Sequence, residues 1–267
     1  MQADPSSSST EALIAQEALP ADARTLLTQA LDRHRERVEG IESFTLVRET
    51  SGFETHERYE RREVAGYPVF VRADPGSTED GPAAPFALTP RFIDGAQLTG
   101  QTEVDGRDCH LIQIEDPTDL AFAPGVVSGG AFEPSRATLC FDQDALLLRR
   151  ITVTGDLVRD QSRYPVTVET RLEDYRVTEG LAYPFRAVVT TSGLDAAISE
   201  EERLRAEEVL DSLRERLVAM PEPQRRMLQN ALQERIEQFK QILTTGGTEI
   251  VSVVRELQVN EGPPGGG

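Results

Sequence analysis

The residues of this chain that could do chemistry are three histidines, two cysteines, one serine among glycines and a large excess of carboxylates. His34, His56 and His110 fall in one helical and two strand-like segments, with no spacing that would bring them onto a shared metal ion. Cys109 and Cys140 lack histidines at ligand spacing, so they do not make up a zinc site. In strand-like segments such cysteines are either small buried apolar residues or, in an exported chain, a disulfide, and both readings stand. Ser128, in Val127-Ser128-Gly129-Gly130, lacks the preceding glycine of a nucleophile turn. Asp142-Gln143-Asp144 starts like a calcium loop but lacks the later glycine and the bidentate glutamate. Adjacent carboxylates such as Glu115-Asp116 are expected where 46 residues are acidic, and they read as a solvated face. With no dinucleotide-binding glycine motif, P-loop or HExxH, the residues support neither a reaction mechanism nor a cofactor, and the chain reads as a binding protein, not an enzyme.

Charge narrows the partners. Lysine and arginine total 28, the net charge is −18, and Lys240 is the only lysine. Such a surface repels nucleic acid and anionic membranes, because both are bound by cations that displace counterions. No run approaches the ~20 apolar residues of a transmembrane helix. Met1 to Pro5 has neither the basic start nor the apolar run of a signal peptide. Residues 1–21 read as the flexible leader that follows a cleaved signal or anchor, and 261–267 as a disordered tail.

Between them the elements read as one domain, 22–260. Leu27, Leu31, His34 and Val38 recur at helical steps and Gly40 ends the run. From Ile41 the period changes to two. Strands are expected at 41–51, 53–64, 67–72, 98–103, 107–114, 138–141, 146–154, 166–177, 181–191 and 248–259. Asp105-Gly106 is a strong hairpin turn, and Glu115 to Ser135 reads as a long loop. Strands at hairpin spacing without intervening helices predict an antiparallel sheet. The interruption at 197–245 predicts a helical hairpin: Ser199 with Glu202 forms a capping box, Leu210, Leu213 and Leu217 mark one stripe, and Leu228, Leu232, Ile236, Phe239 and Ile242 a second. Because strands flank it, the hairpin is an insertion that either packs on the sheet and covers its mouth or receives a partner.

The order of these elements, with Val104-Asp105-Gly106 leading to Cys109, Phe141-Asp142 leading to Arg149-Arg150, and Asp174-Tyr175-Arg176 leading to Glu179-Gly180-Leu181 and Tyr183-Pro184, resembles the outer-membrane lipoprotein-sorting family with the LolA/LolB-like fold. The resemblance implies an α+β fold in which an unclosed antiparallel β-barrel wraps an N-terminal helix and cups an apolar cavity. It implies a periplasmic or cell-envelope location and, as ligand, a lipid or lipoprotein acyl chains in a carrier or sorting role. The alternative is a structural or sensor module of the MucB/RseB type, with a self-filled cavity and another envelope protein as partner. Period-two alternation assigns Phe44, Leu46, Val69, Ile112, Val168, Leu172, Phe185 and Val253 to the cup, with Phe122 and Val126 of the long loop as its gate. A one-residue slip in register inverts a strand, so each of these assignments depends on uninterrupted alternation.

Overall fold

The computed structural model describes residues 22–73, 93–115, 117, 131–222 and 240–260. Helix α1 spans Ala23–Arg37, and the Asp22 carboxylate caps it by accepting from the Thr25 amide at 2.7 Å. One stripe of the helix, Ala23, Leu26, Leu27, Ala30 and Leu31, is buried. The strands are β1 (Ser43–Thr50), β2 (Phe53–Val64), β3 (Tyr67–Arg72), β4 (Ala96–Val104), β5 (Arg107–Glu115), β6 (Ala131–Asp142), β7 (Leu148–Arg159), β8 (Ser162–Thr178), β9 (Leu181–Ser192) and β10 (Thr248–Val259). They form a single antiparallel sheet in the order β3-β2-β1-β10-β9-β8-β7-β6-β5-β4. Its edges β3 and β4 are not hydrogen-bonded to each other, so the expected unclosed antiparallel sheet with an N-terminal helix is the architecture found.

Helix α1 spans the gap between those edges. On the β3 side the Tyr67 hydroxyl donates to Asp32 at 3.4 Å, and Arg35 lies 5.3 Å from the Tyr67 ring centre. At the β4 side Arg24 pairs with Asp94, and Ile93, Ala96 and Leu98 pack against the cluster that contains the helix stripe. The first and last strands pair at the middle of the sheet, where Phe44 faces Val259. Asn260 locks that junction. Its side-chain oxygen accepts from the Glu42 amide at 2.8 Å, and its amide nitrogen donates to the Gly40 carbonyl at 3.0 Å.

Several strand boundaries differ from the sequence reading, most of all in β6, β7 and β8. Strand β6 starts at Ala131, inside the expected loop, because Pro134 is accommodated at a bulge beside Ser135, whose hydroxyl donates to the Thr154 carbonyl at 3.1 Å. Pro134 faces Gly155, where a Cβ would stand 2.3 Å from the Glu133 carbonyl oxygen, so only glycine permits the approach. Strands β7 and β8 run past their expected ends to a tight turn at Asp160-Gln161, both at positive φ, without the glycine that would have announced it. The insertion lies between β9 and β10. A short 3₁₀ turn, Leu194–Ala197, precedes α2 (Glu200–Ala219), whose expected capping box at Ser199 and Glu202 is formed. Residues 240–245 are helical again, whereas Leu228, Leu232, Ile236 and Phe239 lie outside the described residues.

Replacing Asn260 by alanine removes these bonds and leaves a non-glycine residue at φ 55 without a side chain suited to it. Chemical denaturation should show a loss of about 1–2 kcal/mol. An unchanged midpoint would show that the junction does not depend on this side chain.

Candidate functional site

Strand register defines the inner face. Leu98, Ile112, Leu139, Ile151, Thr170, Val189 and Ile250 are successive cross-strand partners and form one row from β4 to β10. Two residues further along β10, Ser252 faces Thr50, which places Thr50, Arg48, Leu46 and Phe44 on the same face. Six of the eight assigned cup residues, Phe44, Leu46, Ile112, Val168, Leu172 and Phe185, stand on this face by register.

Val69 and Val253 do not. Phe70 takes the inner position on β3, with its ring 5.2 Å from that of Phe44 in an edge-on contact, so Val69 lies on the opposite face of the strand, where it too is buried. Both faces of β3 are apolar, Tyr67, Val69 and Val71 on one and Pro68 and Phe70 on the other, so alternation alone does not choose between them. On β10, Val47 faces Glu256 but Arg48 faces Val254, so Arg255 is an extra residue. That bulge inverts the count from Val259 and Leu257, and Val254 replaces Val253 on the inner face.

Three parts of the chain share the inner face. Ile112 and Leu172 are buried in one cluster with Leu26, Leu27 and Ala30 of α1. Phe44 stacks on Tyr59 at 4.8 Å in a second cluster with Leu46 and Phe185. Val168 is buried with Leu194 and Ala197 of the 3₁₀ turn, and Ile242 from the end of the insertion packs against them. The base of the insertion therefore lies on the inner face, as a covering element would. Between these zones the inner positions Val189, Ile250, Ser252, Thr50 and Arg48 remain partly exposed. Phe122 and Val126 lie outside the described residues.

Against α1 there is a cavity of about 40 Å³ lined by Leu31, His34, Arg37, Phe141, Tyr175 and Ala182. It has room for a water or two, far short of the roughly 300 Å³ of a ligand pocket. Burial, with Arg37 and Arg61 nearby, brings the His34 imidazole down to about 4, against a hydrogen bond to the Pro68 backbone that works the other way. The residues carrying the family resemblance have structural work here. Asp142, 1% exposed, accepts from the Ala145 amide and from Arg149, both at 2.7 Å. Arg149 lies 4.6 Å from the Tyr175 ring centre, and Tyr175 donates to the Leu148 carbonyl at 2.6 Å. Asp142 and Tyr175 thus hold the β6–β7 turn.

Cys109 and Cys140, the candidate disulfide, are free and buried. They lie on adjacent strands β5 and β6, but register sets them diagonally, with Cys109 facing Asp142 and Cys140 facing Leu111. Burial pushes both thiols above their ordinary range. Among the described residues, no three His, Cys, Asp or Glu side chains are grouped to hold a metal, and no helix is long and apolar enough to cross a membrane.

The sequence reading passed over Arg48 and Glu57. Arg48 Nη2 lies 3.1 Å from a Glu57 carboxylate oxygen, and both side chains sit on the inner face next to Leu46. The available signal was the alternation itself: Phe44, Leu46, Arg48 on β1 against Tyr59, Glu57, Thr55 on β2.

No protein-family model matches the chain, and no curated protein matches it. Among solved structures it is similar to a DUF1329 family protein from Desulfovibrio piger, at 11% identity over 90% of this chain and 93% of that one, with a TM-score of 0.37. It is also similar to the LolA superfamily protein NE2245 from Nitrosomonas europaea, at 9% identity over 89% and 94%, TM-score 0.31. Mycobacterium tuberculosis lipoprotein LppX is similar over 48% of this chain and 86% of its own, at 16% identity and a TM-score of 0.22.

Two outcomes follow from the buried groups. His34 is neutral when folded down to about pH 4 but takes up a proton near pH 6.5 when unfolded, so stability is full above 6.5 and declines between 6.5 and 4. The loss should be on the order of 2–3 kcal/mol, and His34→Gln should flatten the curve over that window. Iodoacetamide at pH 8 should leave both cysteines of the native protein unmodified, reacting only after unfolding under reducing conditions. Fast labelling of the native protein would contradict their burial.

Proposed function

We propose that this is a non-catalytic cell-envelope protein that holds an apolar chain, a lipid or lipoprotein acyl chain, on the inner face of its open sheet. One observation carries the reading. The inner face is largely apolar from β4 to β1, interrupted by Thr170 and by the Ser252, Thr50 and Arg48 positions, yet α1 and the base of the insertion leave its stretch on β9, β10 and β1, with Val189 and Ile250, partly exposed. Exposed apolar surface on a concave face is costly in water and marks a binding site more often than a defect. Phe44, Leu46, Phe185 and Val254 form the closed end of this stretch, while Val189 and Ile250 form its open floor. Ile112, Leu172 and Val168 support the wall from beneath α1 and the 3₁₀ turn. Carriage within the envelope follows from this reading together with the acidic surface, which disfavours residence on anionic lipid.

A second reading has its own observation. The cavity beside α1 is only about 40 Å³, which fits a module filled by its own helix that serves as an interaction or sensor domain. Binding of cis-parinaric acid separates the two. The acyl-chain reading expects saturable binding, and Ile250→Asp should weaken it at least about tenfold, because a carboxylate on the floor must be desolvated by the chain. The melting temperature should change little, since Ile250 is only partly buried. Absence of saturable binding by the unsubstituted protein favours the self-filled module.

A further inference from the structure

One layer of the inner face is polar. Beyond Leu46, Arg48 stands opposite Thr55 on β2 and Val254 on β10. Its Nη2 lies 3.1 Å from Glu57 Oε2 and donates to the Tyr183 hydroxyl at 3.1 Å. Tyr59 donates to the same Glu57 oxygen at 2.8 Å, and Thr55 donates to the other at 3.3 Å. Glu57 therefore has both oxygens engaged and is 8% exposed, whereas the Arg48 side chain is 24% exposed. All of the contacts of Arg48 pass through Nη2. Its Nε is buried with no hydrogen-bond partner, and Nη1 has none among the described residues.

Nε is buried, so the part of the guanidinium that an arriving group can reach is Nη1, whose donors the Glu57 and Tyr183 contacts leave unused. The open side of the pair is the arginine side, and it borders Thr50 and Ser252, whose hydroxyls lie 2.7 Å apart at the edge of the exposed stretch. Any acceptor arriving there meets a guanidinium whose charge Glu57 already balances. A carboxylate or phosphate would place a second negative charge beside Glu57 in a poorly solvated setting. An uncharged oxygen adds no charge and still takes a charge-assisted hydrogen bond. Tyr59 and Tyr183, held neutral by burial, add none either.

We propose that Arg48 is the head-group position of the site and donates to an uncharged carbonyl, the ester or amide of an acylated amphiphile whose chain runs over Ile250 and Val189. The proposal rests on the acyl-chain reading and specifies its ligand class. The test compares 1-monolauroylglycerol, laurate and dodecane as competitors of cis-parinaric acid on the full chain. The unsubstituted protein should prefer the ester over dodecane by about tenfold, the size of one hydrogen bond to a charged donor, and over laurate as well. In Arg48→Met combined with Glu57→Gln, which leaves no lone buried charge, the ester-to-dodecane affinity ratio should fall to about one. Should that double variant fail to fold, Arg48→Lys retains a cation beside Glu57 but lacks the planar donors, and should cut the ratio at least about threefold. A ratio unchanged in these variants, or laurate binding as tightly as the ester, overturns the head-group assignment while leaving the acyl-chain site standing. If none of the three compounds competes, the acyl-chain reading falls and the head-group assignment with it.

Discussion

The fold depends on one burial: the apolar stripe of α1 against the inner face of a sheet that does not close. An antiparallel sheet with two free edges and a largely apolar inner side is not stable alone in water, because its edges offer unpaired backbone groups and its face remains wet. The stripe from Ala23 to Leu31 covers that face over β5 to β8, and the polar flanks of the helix reach β3 through Asp32 and Arg35 and the turn before β4 through Arg24. The helix thus does the work of the missing strand pairing. It also occupies the space that a ligand would otherwise take on that side.

What remains of the inner face has a graded character. Its closed end is aromatic, with Phe44 between Tyr59, Phe70 and Tyr183. The Arg48–Glu57 pair follows, and then the half-exposed Thr50, Ser252, Ile250 and Val189. A face that changes from apolar to polar at one end has the chemistry of an amphiphile binder more than that of a simple hydrocarbon core. The insertion between β9 and β10 contributes at its base, where Leu194, Ala197 and Ile242 pack over Val166 and Val168. Further out, α2 carries Leu204, Val209 and Val218 exposed.

The sequence made some of this legible and hid the rest for identifiable reasons. The Asp105-Gly106 turn and the Ser199 capping box depend on local chemistry, and both stand where local chemistry puts them. The strand ends at Asp160-Gln161 and the entry of Pro134 into β6 depend on partners elsewhere in the sheet, among them the close approach of Gly155. Face assignment worked wherever alternation was unbroken, as for Ile112, Val168 and Leu172. It failed at Val253, because the extra residue Arg255 leaves no mark in a run of valines, and at Val69, because two patterns compete in one short strand. Arg48 and Glu57 were passed over because a polar residue on an apolar face looks like a surface residue until its partner on the next strand is known.

The central claim is that the exposed stretch between α1 and the insertion base is where an acyl chain lies. Methyl NMR on the isoleucine- and valine-labelled protein, titrated with 1-monolauroylglycerol, tests it most directly. Saturable shifts should be largest at Val189, Ile250 and Val254, with Ile112 and Ile151 beneath α1 nearly still. Shifts centred on Ile112 and Ile151, or confined to the exposed Val209 and Val218 of α2, would contradict the account.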